Sequence, residues 1–550
     1  MPYYSKRIDA TLLGHDQQGK PNVVIVELKA WTQAKADDAG NVLTPLGGKL
    51  INRPHPSQQV RGYHDHLLDY LRCFQGIEPL LLSSCAYCHN YVANGADDGL
   101  FHPQFEKIRL QSPVFGQNDF KTFADYLHER LIGGKGYSVQ RVMDSAGTGP
   151  SRSLIEHADK VIQQQVVFRL QDDQLATNNS IQAAFRNAFK KKEKRVLVVR
   201  GGPGTGKSVI ALNTIGEALK QELKNIYLVT GSAAFTYGLR KVLGKRLDGH
   251  VKFTDFFWNA AENSADVIVV DEGHRVRDKS TPRVPKEKRP ILSQAEELIR
   301  AAKVTVIFVD ENQIISPDEV GGTEVFRQAC IKLGIPLEEH QLKSQFRCDG
   351  SDAYLHWLDD LLELDSDPQG LQLKVPEAFN IKLVDSPQVL LDEINAKNKT
   401  SPNSARLVAG WCWSWSDPRP GGSVNDIVIG EFQFPWESKN GKKPPKGIPE
   451  AKYWAVDPAG ADQAGTVYSM QGFEMQHIGV IIGPDLVRRN DSWIAQPGQN
   501  FSNGLRRKDP AAAQPYIKRI YRTLLSRAMN SCSVYCVDEG TKVFISSRLL

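Results

Sequence analysis

The segment 194–209, KRVLVVRGGPGTGKSV, constrains this chain more than any other part of its 550 residues. The apolar run 196–199 is short, β-branched and without alternation, which is typical of a strand buried on both faces of a parallel sheet. The loop after it has the spacing G-x-x-x-x-G-K-S, whose glycines let backbone N–H groups close around a polyphosphate. The next segment, VIALNTIGEALKQEL, has helical apolar spacing, so the phosphates would also lie at a helix N-terminus. The sequence therefore predicts a nucleoside triphosphate site in an α/β fold.

Two residues of this loop have distinct expected roles. Lys207 is expected to reach the outer phosphates, and the Ser208 hydroxyl is expected to hold Mg²⁺. The alternative is a glycine-rich turn that binds nothing, which is disfavoured because strand, loop and helix agree with one pattern. The predicted nucleotide-binding residues of the loop are Gly201, Gly202, Pro203, Gly204, Thr205, Gly206, Lys207 and Ser208.

Two further apolar runs end in polar residues that suit the same chemistry. The run ADVIVVDEGHRV places Asp271 and Glu272 beyond a buried strand, where a magnesium ligand can stand beside a base that activates water. This is the pattern of a Walker B site. The run KVTVIFVDENQII presents Asp310 and Gln313, where a sensor of the γ-phosphate is expected. Two acids after a strand are as often a solvated strand end, but the upstream loop favours the functional interpretation.

Composition narrows the class of protein. A hydrophobic content of 41% with no long apolar run favours soluble globular domains and no membrane span. The start of the chain, MPYYSKRIDATLLG, lacks the pattern of a signal peptide, so a cytoplasmic location is expected. Eight scattered cysteines suit a reducing compartment. The net charge of +5 permits a polyanionic partner without requiring one.

Seven motifs follow one another in the order GGPGTGKS, LVTGSAAFTYGLRKVL, DEGHR, FVDENQ, LKSQFRCDGS, AGTVYSMQGFE and YRTLLSRAMN. Together they resemble the ordered motifs of superfamily 1 helicases. The closest resemblance is to the Schlafen-group-3-like helicase family of bacterial ATPases, over about residues 165–550. It implies two RecA-like parallel-sheet P-loop NTPase domains, with ATP in the cleft between them and a nucleic acid as partner.

The resemblance also assigns further residues to the ATP cleft. Arg347 in SQFRC and Arg527 in LLSRA stand where the family places arginine fingers, which stabilise charge on a transferring phosphoryl group. Either arginine alone would ordinarily be a surface salt bridge, but the motif position favours the catalytic role. Gln471 and Glu474 in SMQGFE match a motif that senses ATP and nucleic acid together. Gln174 in LQDDQLATNN is the candidate for reading adenine.

The family resemblance implies a nucleic-acid track as well. The segment 231–235 and the motif KFTDFF around Thr254 correspond to segments that touch the sugar-phosphate backbone or stack bases in related motors. Phe235 or Phe257 could stack on a base, although an aromatic residue at such a position is more often part of the core.

The front of the chain carries a second group of polar residues. Asp9 falls in one predicted strand, and Glu27 and Lys29 close the next, where alternation places both on one face. Two carboxylates and a lysine can then converge, and the carbonyl of Leu28 can add a ligand. Hard oxygen ligands favour Mg²⁺ or Mn²⁺. The metal would activate water and offset charge on a scissile phosphate, while Lys29 would position or help deprotonate that water.

This spacing resembles the PD-(D/E)xK nuclease superfamily. Gln59, followed one helical turn later by Tyr63, matches the Q-x-x-x-Y signature of its RecB-like branch. The resemblance implies a metal-dependent DNA nuclease. The superfamily normally has a helix before the Asp9 strand, for which the residues from Met1 leave no room. A shortened or incomplete nuclease fold is therefore the alternative expectation.

These interpretations predict an α/β chain with a nuclease-like domain at 1–132, a linker at 133–164, a first RecA-like domain at 165–333 and a second at 334–550. The predicted function is an ATP-dependent helicase or translocase joined to a DNA nuclease, in DNA processing, repair or defence against foreign DNA. ATP and Mg²⁺ are the expected cofactors, with Mn²⁺ as an alternative at the nuclease site. Three alternatives remain: an ATP-driven switch, an RNA-acting enzyme, and a nuclease-like domain used only for binding.

Overall fold

The computed structural model describes residues 7–74, 79–95, 98–145, 157–163, 170, 172–282, 284–285, 291–343, 352–364, 379–419 and 422–549. Contacts divide the chain into two compact units. The N-terminal unit comprises Met1–Arg152, Val166–Lys192 and Leu342–Ser344. The C-terminal unit comprises Ser153–Gln165, Glu193–Gln341 and Gln345–Leu550. No helix among the described residues combines the length and the apolar content needed to cross a membrane.

The N-terminal unit contains a four-stranded sheet in the order β1-β2-β6-β7 and a small antiparallel sheet of β3, β4 and β5. In the larger sheet β1 is antiparallel to β2, and β2, β6 and β7 are parallel. The elements are β1 (Ala10–His15), β2 (Pro21–Lys29), β3 (Lys35–Ala36), β4 (Val42–Leu46), β5 (Lys49–Arg53), α1 (Pro56–Tyr70), β6 (Leu81–Cys88), α2 (Glu106–Gln111), β7 (Val114–Phe115), α3 (Phe120–Leu131) and α4 (Gly136–Ser145). After α5 (Ala158–Ile162), which belongs to the C-terminal unit, the N-terminal unit resumes with α6 (Asp172–Lys190).

The central strand β2 sets the core of this unit. Its residues from Asn22 to Glu27 are all buried, because β1 and β6 flank it within the sheet and α1, α3 and α4 contact it. Helix α1 packs against β2 and β6. It begins at Pro56 with a reciprocal cap, in which the His55 side chain accepts from a backbone N–H and Gln58 accepts from the His55 N–H.

The segment predicted as a linker, 133–164, differs from that expectation because α4 and α5 lie within it. Helix α4 packs on β1. A Cβ on Gly136 would lie only 2.5 Å from the carbonyl oxygen of Leu13, and the Gly133 N–H donates to the carbonyl of His15 at 2.8 Å. These glycines therefore permit close backbone packing, and their presence in the sequence does not mark a flexible connection.

The predicted domain boundary at 165 also differs from the division of the structure, because α6 groups with the N-terminal unit. Arg53 at the end of β5 pairs with Asp173 at 2.9 Å. The Asn41 side chain donates to the carbonyl of Ala176 at 3.1 Å, and Asn179 donates to Asn41 at 2.8 Å. Polar contacts between residues far apart in sequence thus attach α6 to the small antiparallel sheet.

The C-terminal unit contains a six-stranded sheet in the order β10-β9-β11-β12-β8-β13. The strands from β8 to β12 pair in parallel, and β13 lies beside β8. Helices α9 and α10 pack together against this sheet. The elements are β8 (Arg195–Gly201), α7 (Lys207–Lys220), β9 (Ile226–Thr230), α8 (Ala233–Leu247), β10 (Val251–Phe253), β11 (Ala265–Asp271), α9 (Gln294–Ala301), β12 (Ala302–Val309), α10 (Thr323–Leu333) and β13 (Leu337–Leu342).

The same unit contains a second parallel sheet in the order β14-β21-β18-β15, accompanied by two short hairpins. The elements are α11 (Asp352–Leu361), β14 (Asn380–Leu383), α12 (Pro387–Thr400), β15 (Ala405–Ala409), β16 (Ile427–Ile429), β17 (Phe432–Phe434), α13 (Val467–Met470), β18 (Met475–Ile482), β19 (Leu486–Arg489), β20 (Ser492–Ala495), α14 (Pro510–Leu525), β21 (Ala528–Cys536) and α15 (Glu539–Leu549). The predicted α/β class is confirmed. The nuclease identity of the N-terminal unit stays a prediction.

Candidate nucleotide and metal sites

The glycine-rich loop joins β8 to α7, as the sequence predicts. Gly204 and Gly206 have φ angles of 73° and 80°, in the left-handed region that glycine adopts without a steric penalty. Gly206 immediately precedes α7, so the unpaired N–H groups of the first turn of α7 belong to the loop. Lys207 is buried, and its Nζ donates to the carbonyls of Gly201 at 2.8 Å and Gly202 at 2.6 Å. This backbone has the form of a phosphate cradle.

The acids predicted for a Walker B site lie at the end of β11 and are both buried. The Ser208 hydroxyl hydrogen bonds to Asp271. Burial and the neighbouring Glu272 raise the pKa of Asp271 above its usual range. Glu272 has a φ of 56°, which is uncommon for a residue with a side chain and is typical of strained functional sites. The pair of oxygens from Ser208 and Asp271 fits a magnesium ion.

Glu272 lies near two cationic side chains, Lys207 and Arg527, and near the imidazole of His274. Burial raises its pKa, but His274, Arg527 and Lys207 outweigh burial and hold the pKa below its usual range. The Nε2 atom of His274 lies 2.8 Å from Oε2 of Glu272. A carboxylate that stays ionised is able to accept a proton from water.

The third strand end, after β12, meets the other two because β12 lies between β8 and β11. Asp310 lies 3.7 Å from the Nζ of Lys207. The Gln313 side chain donates to Asp310 at 2.6 Å, and Arg527 donates to Oε1 of Gln313. Arg527 is 1% exposed and directly precedes β21 of the second sheet. The structure therefore brings a predicted arginine finger to the predicted sensor residue.

Gln471, which lies just before β18 of the second sheet, also contacts this site. Its Nε2 lies 3.2 Å from Nε2 of His274 and 3.4 Å from the carbonyl oxygen of Gln313. Packing fixes this position, because the ring of Phe473 meets the ring of Phe235 in α8 at 5.7 Å. Gln471 thus contacts residues that follow strands of the first sheet. Its role as a sensor of ATP and nucleic acid stays a prediction.

His274 is absent from the predicted site, yet it connects most of the residues there. It is fully buried. The backbone N–H of Asp310 donates to its Nδ1 at 3.3 Å, so the proton of a neutral imidazole lies on Nε2, which faces Glu272. The sequence does contain a signal for it, because His274 follows Asp271 and Glu272 directly after the buried strand, in the run DEGH.

The roles of the remaining predicted residues stay predictions. Arg347 lies outside the described residues. Glu474 is half-buried just before β18. Gln174 is buried in α6 of the N-terminal unit, and its adenine-reading role stays a prediction. Phe235 and Phe257 are each 2% exposed and belong to the core, which removes them as stacking platforms.

The N-terminal unit brings Asp9, Glu27 and Lys29 together. The prediction that Asp9 lies in a strand is wrong, because β1 begins at Ala10 and Asp9 lies in the bend before it. From there its carboxylate accepts the backbone N–H of Leu28 at 2.8 Å. Lys29 pairs with Oε1 of Glu27 at 2.5 Å. The bend allows Asp9 to reach β2 because it is free of the pairing between β1 and β2.

Glu27 is the best candidate for a metal ligand in this unit. It is 3% exposed, and no residue in the described part of the chain offers its Oε2 a hydrogen bond. Burial raises the pKa of Glu27 to about 7. Lys29 opposes this shift, and the negative charges of Asp9 and Asp172 add to it. An ionised, buried oxygen without a donor is costly unless a cation contacts it, so Glu27 fits a divalent metal.

Gln59 and Tyr63 lie on α1, one turn apart, and are hydrogen bonded. Gln59 Nε2 donates to the Tyr63 hydroxyl at 2.7 Å. That hydroxyl in turn lies 3.0 Å from both carboxylate oxygens of Asp172. Asp172 is absent from the predicted site, because its contact with Tyr63 joins residues 109 positions apart.

Among the residues that the structure describes, no three His, Cys, Asp or Glu side chains are grouped closely enough to hold a metal between them. An ion at Glu27 would therefore rely on one or two carboxylates, the Leu28 carbonyl and water. Mg²⁺ is commonly bound in this way, since it keeps several of its waters.

A family model described as "Schlafen group 3, DNA/RNA helicase domain" matches residues 194–538, which is more than half of the chain. This chain belongs to the Schlafen group 3 DNA/RNA helicase family. The match begins after α6 and covers both parallel sheets of the C-terminal unit. No curated protein matches the chain.

Solved structures with some similarity include two helicases and an AMPPCP-bound protein. The arterivirus nonstructural protein 10 helicase is 10% identical, with 66% of this chain and 64% of that chain covered and a TM-score of 0.28. The Pif1 helicase from Candida albicans is 14% identical, with 67% and 98% covered and a TM-score of 0.27. AMPPCP-bound DnaA from Aquifex aeolicus is 15% identical, with 34% and 51% covered and a TM-score of 0.17. The family assignment rests on the family model alone.

Proposed function

We propose that this chain is an ATP-driven helicase or translocase that acts on nucleic acid. The observation that carries the proposal is the convergence of Arg527 and Gln471, from the second sheet, on Gln313 and His274, from the first. Family membership supports the same conclusion. A site completed by two sheets links nucleotide hydrolysis to their relative movement, which is what a motor requires.

The residues of the site divide the work of hydrolysis. Bound Mg²⁺-ATP would supply the phosphoryl group and neutralise part of its charge. With nucleotide bound, Lys207 would contact the phosphates, and Ser208 with Asp271 would hold the ion. Ionised Glu272 orients water and accepts its proton. The guanidinium of Arg527 stabilises the charge that develops on the transferring group.

A candidate nucleic-acid surface lies in the same unit. It consists of half-buried or exposed rings with lysine amines close to them. Lys252 lies 4.8 Å from the ring centroid of Phe256, which is 53% exposed, and Lys241 lies 5.3 Å from that of Tyr453. We call this set the basic-aromatic surface; its members are Tyr237, Lys241, Lys252, Phe253, Phe256, Lys452 and Tyr453.

This surface suits a single strand of nucleic acid. Exposed rings stack on bases of any sequence, and lysines neutralise phosphates. Nothing in this chemistry distinguishes DNA from RNA, because neither a ring face nor an amine reads the 2′-hydroxyl. DNA is the proposed substrate, and RNA is the alternative for the experiment to decide.

The test is ATP turnover with single-stranded DNA, duplex DNA and RNA of one sequence. We expect single strands to stimulate turnover. Phe256→Ala and Lys241→Ala should raise the nucleic-acid concentration needed for half-maximal stimulation and leave basal turnover unchanged. Lys399→Ala, an exposed lysine on α12, is the matched control. Absence of stimulation by every nucleic acid would favour an ATP-driven switch over a motor.

We also propose that the N-terminal unit is a metal-dependent DNA nuclease, serving DNA processing, repair or defence. The observation that supports it is the buried Oε2 of Glu27, for which the described residues supply no donor, while Lys29 contacts Oε1 and Asp9 accepts from the adjacent Leu28 N–H. A bound Mg²⁺ or Mn²⁺ would activate water and offset charge on the scissile phosphate. Glu27 and the Leu28 carbonyl would hold the ion, Asp9 would keep Leu28 in place, and Lys29 would position the water.

The experiment compares cleavage of labelled DNA by the wild-type protein and by Glu27→Gln, with Mn²⁺ or with a chelator. Only the wild-type protein with metal should cut. Equal cutting by both proteins would place the activity elsewhere, and no cutting by the wild-type protein would support a unit that only binds DNA.

A further inference from the structure

A buried glutamate, Glu437, lies between β17 and α13, outside the motifs that the sequence assigns to the ATP cleft. It is 1% exposed. Its backbone N–H donates to the carbonyl of Ala464 at 3.0 Å, and its own carbonyl accepts from Nε1 of Trp415 at 2.7 Å. The preceding residue, Trp436, forms a parallel bridge with Ala464. These contacts fix the backbone of Glu437 independently of its side chain.

The carboxyl group of Glu437 is hydrogen bonded to the turn that forms α13. The hydroxyl of Thr466 donates to Oε1 of Glu437 at 3.1 Å, and the side chain of Ser469 is a further hydrogen-bonding neighbour of the carboxyl. Thr466 and Ser469 also bond to each other. The Thr466 N–H donates to the Ser469 hydroxyl at 3.0 Å, and that hydroxyl donates to the Thr466 carbonyl at 3.0 Å. Glu437 therefore contacts α13 at two positions of a single helical turn.

Helix α13 leads directly to Gln471, whose backbone N–H donates to the carbonyl of Val467 at 2.9 Å. The side chain of Gln471 reaches the residues of the first sheet, with Nε2 3.2 Å from Nε2 of His274 and 3.4 Å from the carbonyl oxygen of Gln313. Gln471 is fully buried, and the described part of the chain offers its Oε1 no hydrogen bond. A buried acceptor of this kind suits a bound nucleotide or a water molecule as its partner.

We propose that Glu437 is a positioning residue of the ATP site, which holds α13 and so sets the placement of Gln471 against His274. This inference rests on the proposed ATP hydrolysis. A displacement of ~1 Å at a reaction centre can lower a rate by ~100-fold, even when the substitution lies far from the chemistry. Glu437 should act on turnover rather than on nucleotide affinity, because the glycine-rich loop belongs to the first sheet.

The experiment is a double-mutant cycle on steady-state ATP turnover by the full-length protein. Glu437→Ala should lower kcat by ~10 to 100-fold and leave the KM for ATP within about twofold of the wild-type value. Gln471→Ala should lower kcat at least as much. The double variant should be no slower than Gln471→Ala, within about twofold, because Glu437 has nothing to position once that side chain is absent. Glu431→Ala, at an exposed acid between β16 and β17, is the matched control and should retain wild-type turnover.

Two milder variants separate positioning from a general loss of structure. Burial raises the pKa of Glu437 to about 8, although hydrogen bonds from Ser469 and Thr466 oppose this shift, so the group is largely uncharged at pH 7. Glu437→Gln matches that neutral form and keeps an acceptor for Thr466, so kcat should stay within about threefold of the wild-type value. Thr466→Val removes one hydroxyl and should lower kcat by ~3 to 10-fold. If Glu437→Ala does not fold, Thr466→Val takes its place in the cycle with Gln471→Ala.

The outcomes separate the inference from the proposed function. Wild-type kcat in Glu437→Ala, or effects that multiply in the double variant, would overturn the positioning role while the ATP site stands. Loss of ATP binding together with turnover would show a general structural role and would overturn it as well. Wild-type turnover by Gln471→Ala, in a protein that Lys207→Ala inactivates, would remove Gln471 and the inference with it. A wild-type protein without ATP turnover would overturn the proposed function itself.

Discussion

Two buried glutamates lie at strand ends of this molecule, and their surroundings differ. Glu272 follows β11 and lies near His274, Arg527 and Lys207, which hold its pKa below the usual range. Glu27 lies near the end of β2 with one lysine and two further carboxylates, and its pKa is raised to about 7. The first acid is stabilised as an anion by the protein itself, and the second is not.

The difference indicates which ligand suits each site. At Glu272 the protein supplies the charges that a phosphoryl-transfer site needs, which suits a nucleotide. At Glu27 the carboxylate suits a divalent cation, which would supply positive charge beside it. Substitutions at the two sites should therefore have separate consequences.

The largest effect is expected at the nucleotide site. Lys207→Ala and Glu272→Gln should each lower ATP turnover by ~1000-fold or more, by different routes. The Lys207 variant should bind ATP weakly, whereas the Glu272 variant should retain ATP without cleaving it. Phosphate release and nucleotide binding are the two measurements. Metal-dependent cleavage at the Glu27 site should persist in both variants, and normal ATP turnover in either would show that the site is wrongly assigned.

The next effect concerns the residue that completes the site from the second sheet. Arg527→Ala should reduce turnover by ~1000-fold with nearly unchanged nucleotide affinity, because an arginine finger acts mainly in the transition state. The same result is predicted for Arg347→Ala. Arg506→Ala, at an exposed arginine before α14, is the control. An unchanged turnover number in both finger variants would remove the second sheet from the mechanism.

A smaller effect is expected from His274→Gln. The variant keeps the base but loses its orienting partner, so turnover should fall by ~10 to 100-fold, less than the full contribution of a general base. His274 also helps to lower the pKa of Glu272, so its loss should let that pKa rise. Turnover of the variant should then decline as the pH falls, at pH values where the wild-type rate is constant. Parallel pH profiles for the two proteins would contradict this role.

The parts of this molecule differ in how far the sequence predicts them. The loop from Gly201 to Ser208 is predicted in place because its strand, turn and helix are adjacent in sequence. Asp172 is not, because a contact with Tyr63 over 109 positions leaves no local pattern. Gly136 indicates a linker by composition, yet in the structure it permits α4 to approach Leu13. A single sequence therefore predicts local backbone structure, but it does not predict polar contacts between residues far apart in the chain.

The smallest effect is one of stability, and it tests the unbalanced charge at Glu27 directly. The pKa of Glu27 is about 7 in the folded protein against a usual value of 4.5, so the folded state binds the proton more tightly than the unfolded state. The free energy of unfolding should therefore fall as the pH rises from about 4.5 to 7 and stay lowered above that.

Glu27→Gln cannot ionise, so without divalent metal at pH 8 it should be more stable than the wild-type protein by about 1 to 3 kcal/mol. At pH 4 the two proteins should differ little. Hydrogen exchange of peptides from β2 and β6 is the measurement, because it reports this unit locally. Added Mn²⁺ should slow exchange in the wild-type protein and not in Glu27→Gln, since only an ionised carboxylate gains from the cation.

Glu129→Gln, at a side chain that is 77% exposed, should behave as the wild-type protein at both pH values. If Glu27→Gln is no more protected than the wild-type protein at pH 8, the charge of Glu27 is already balanced by the chain, and the contrast with Glu272 is lost.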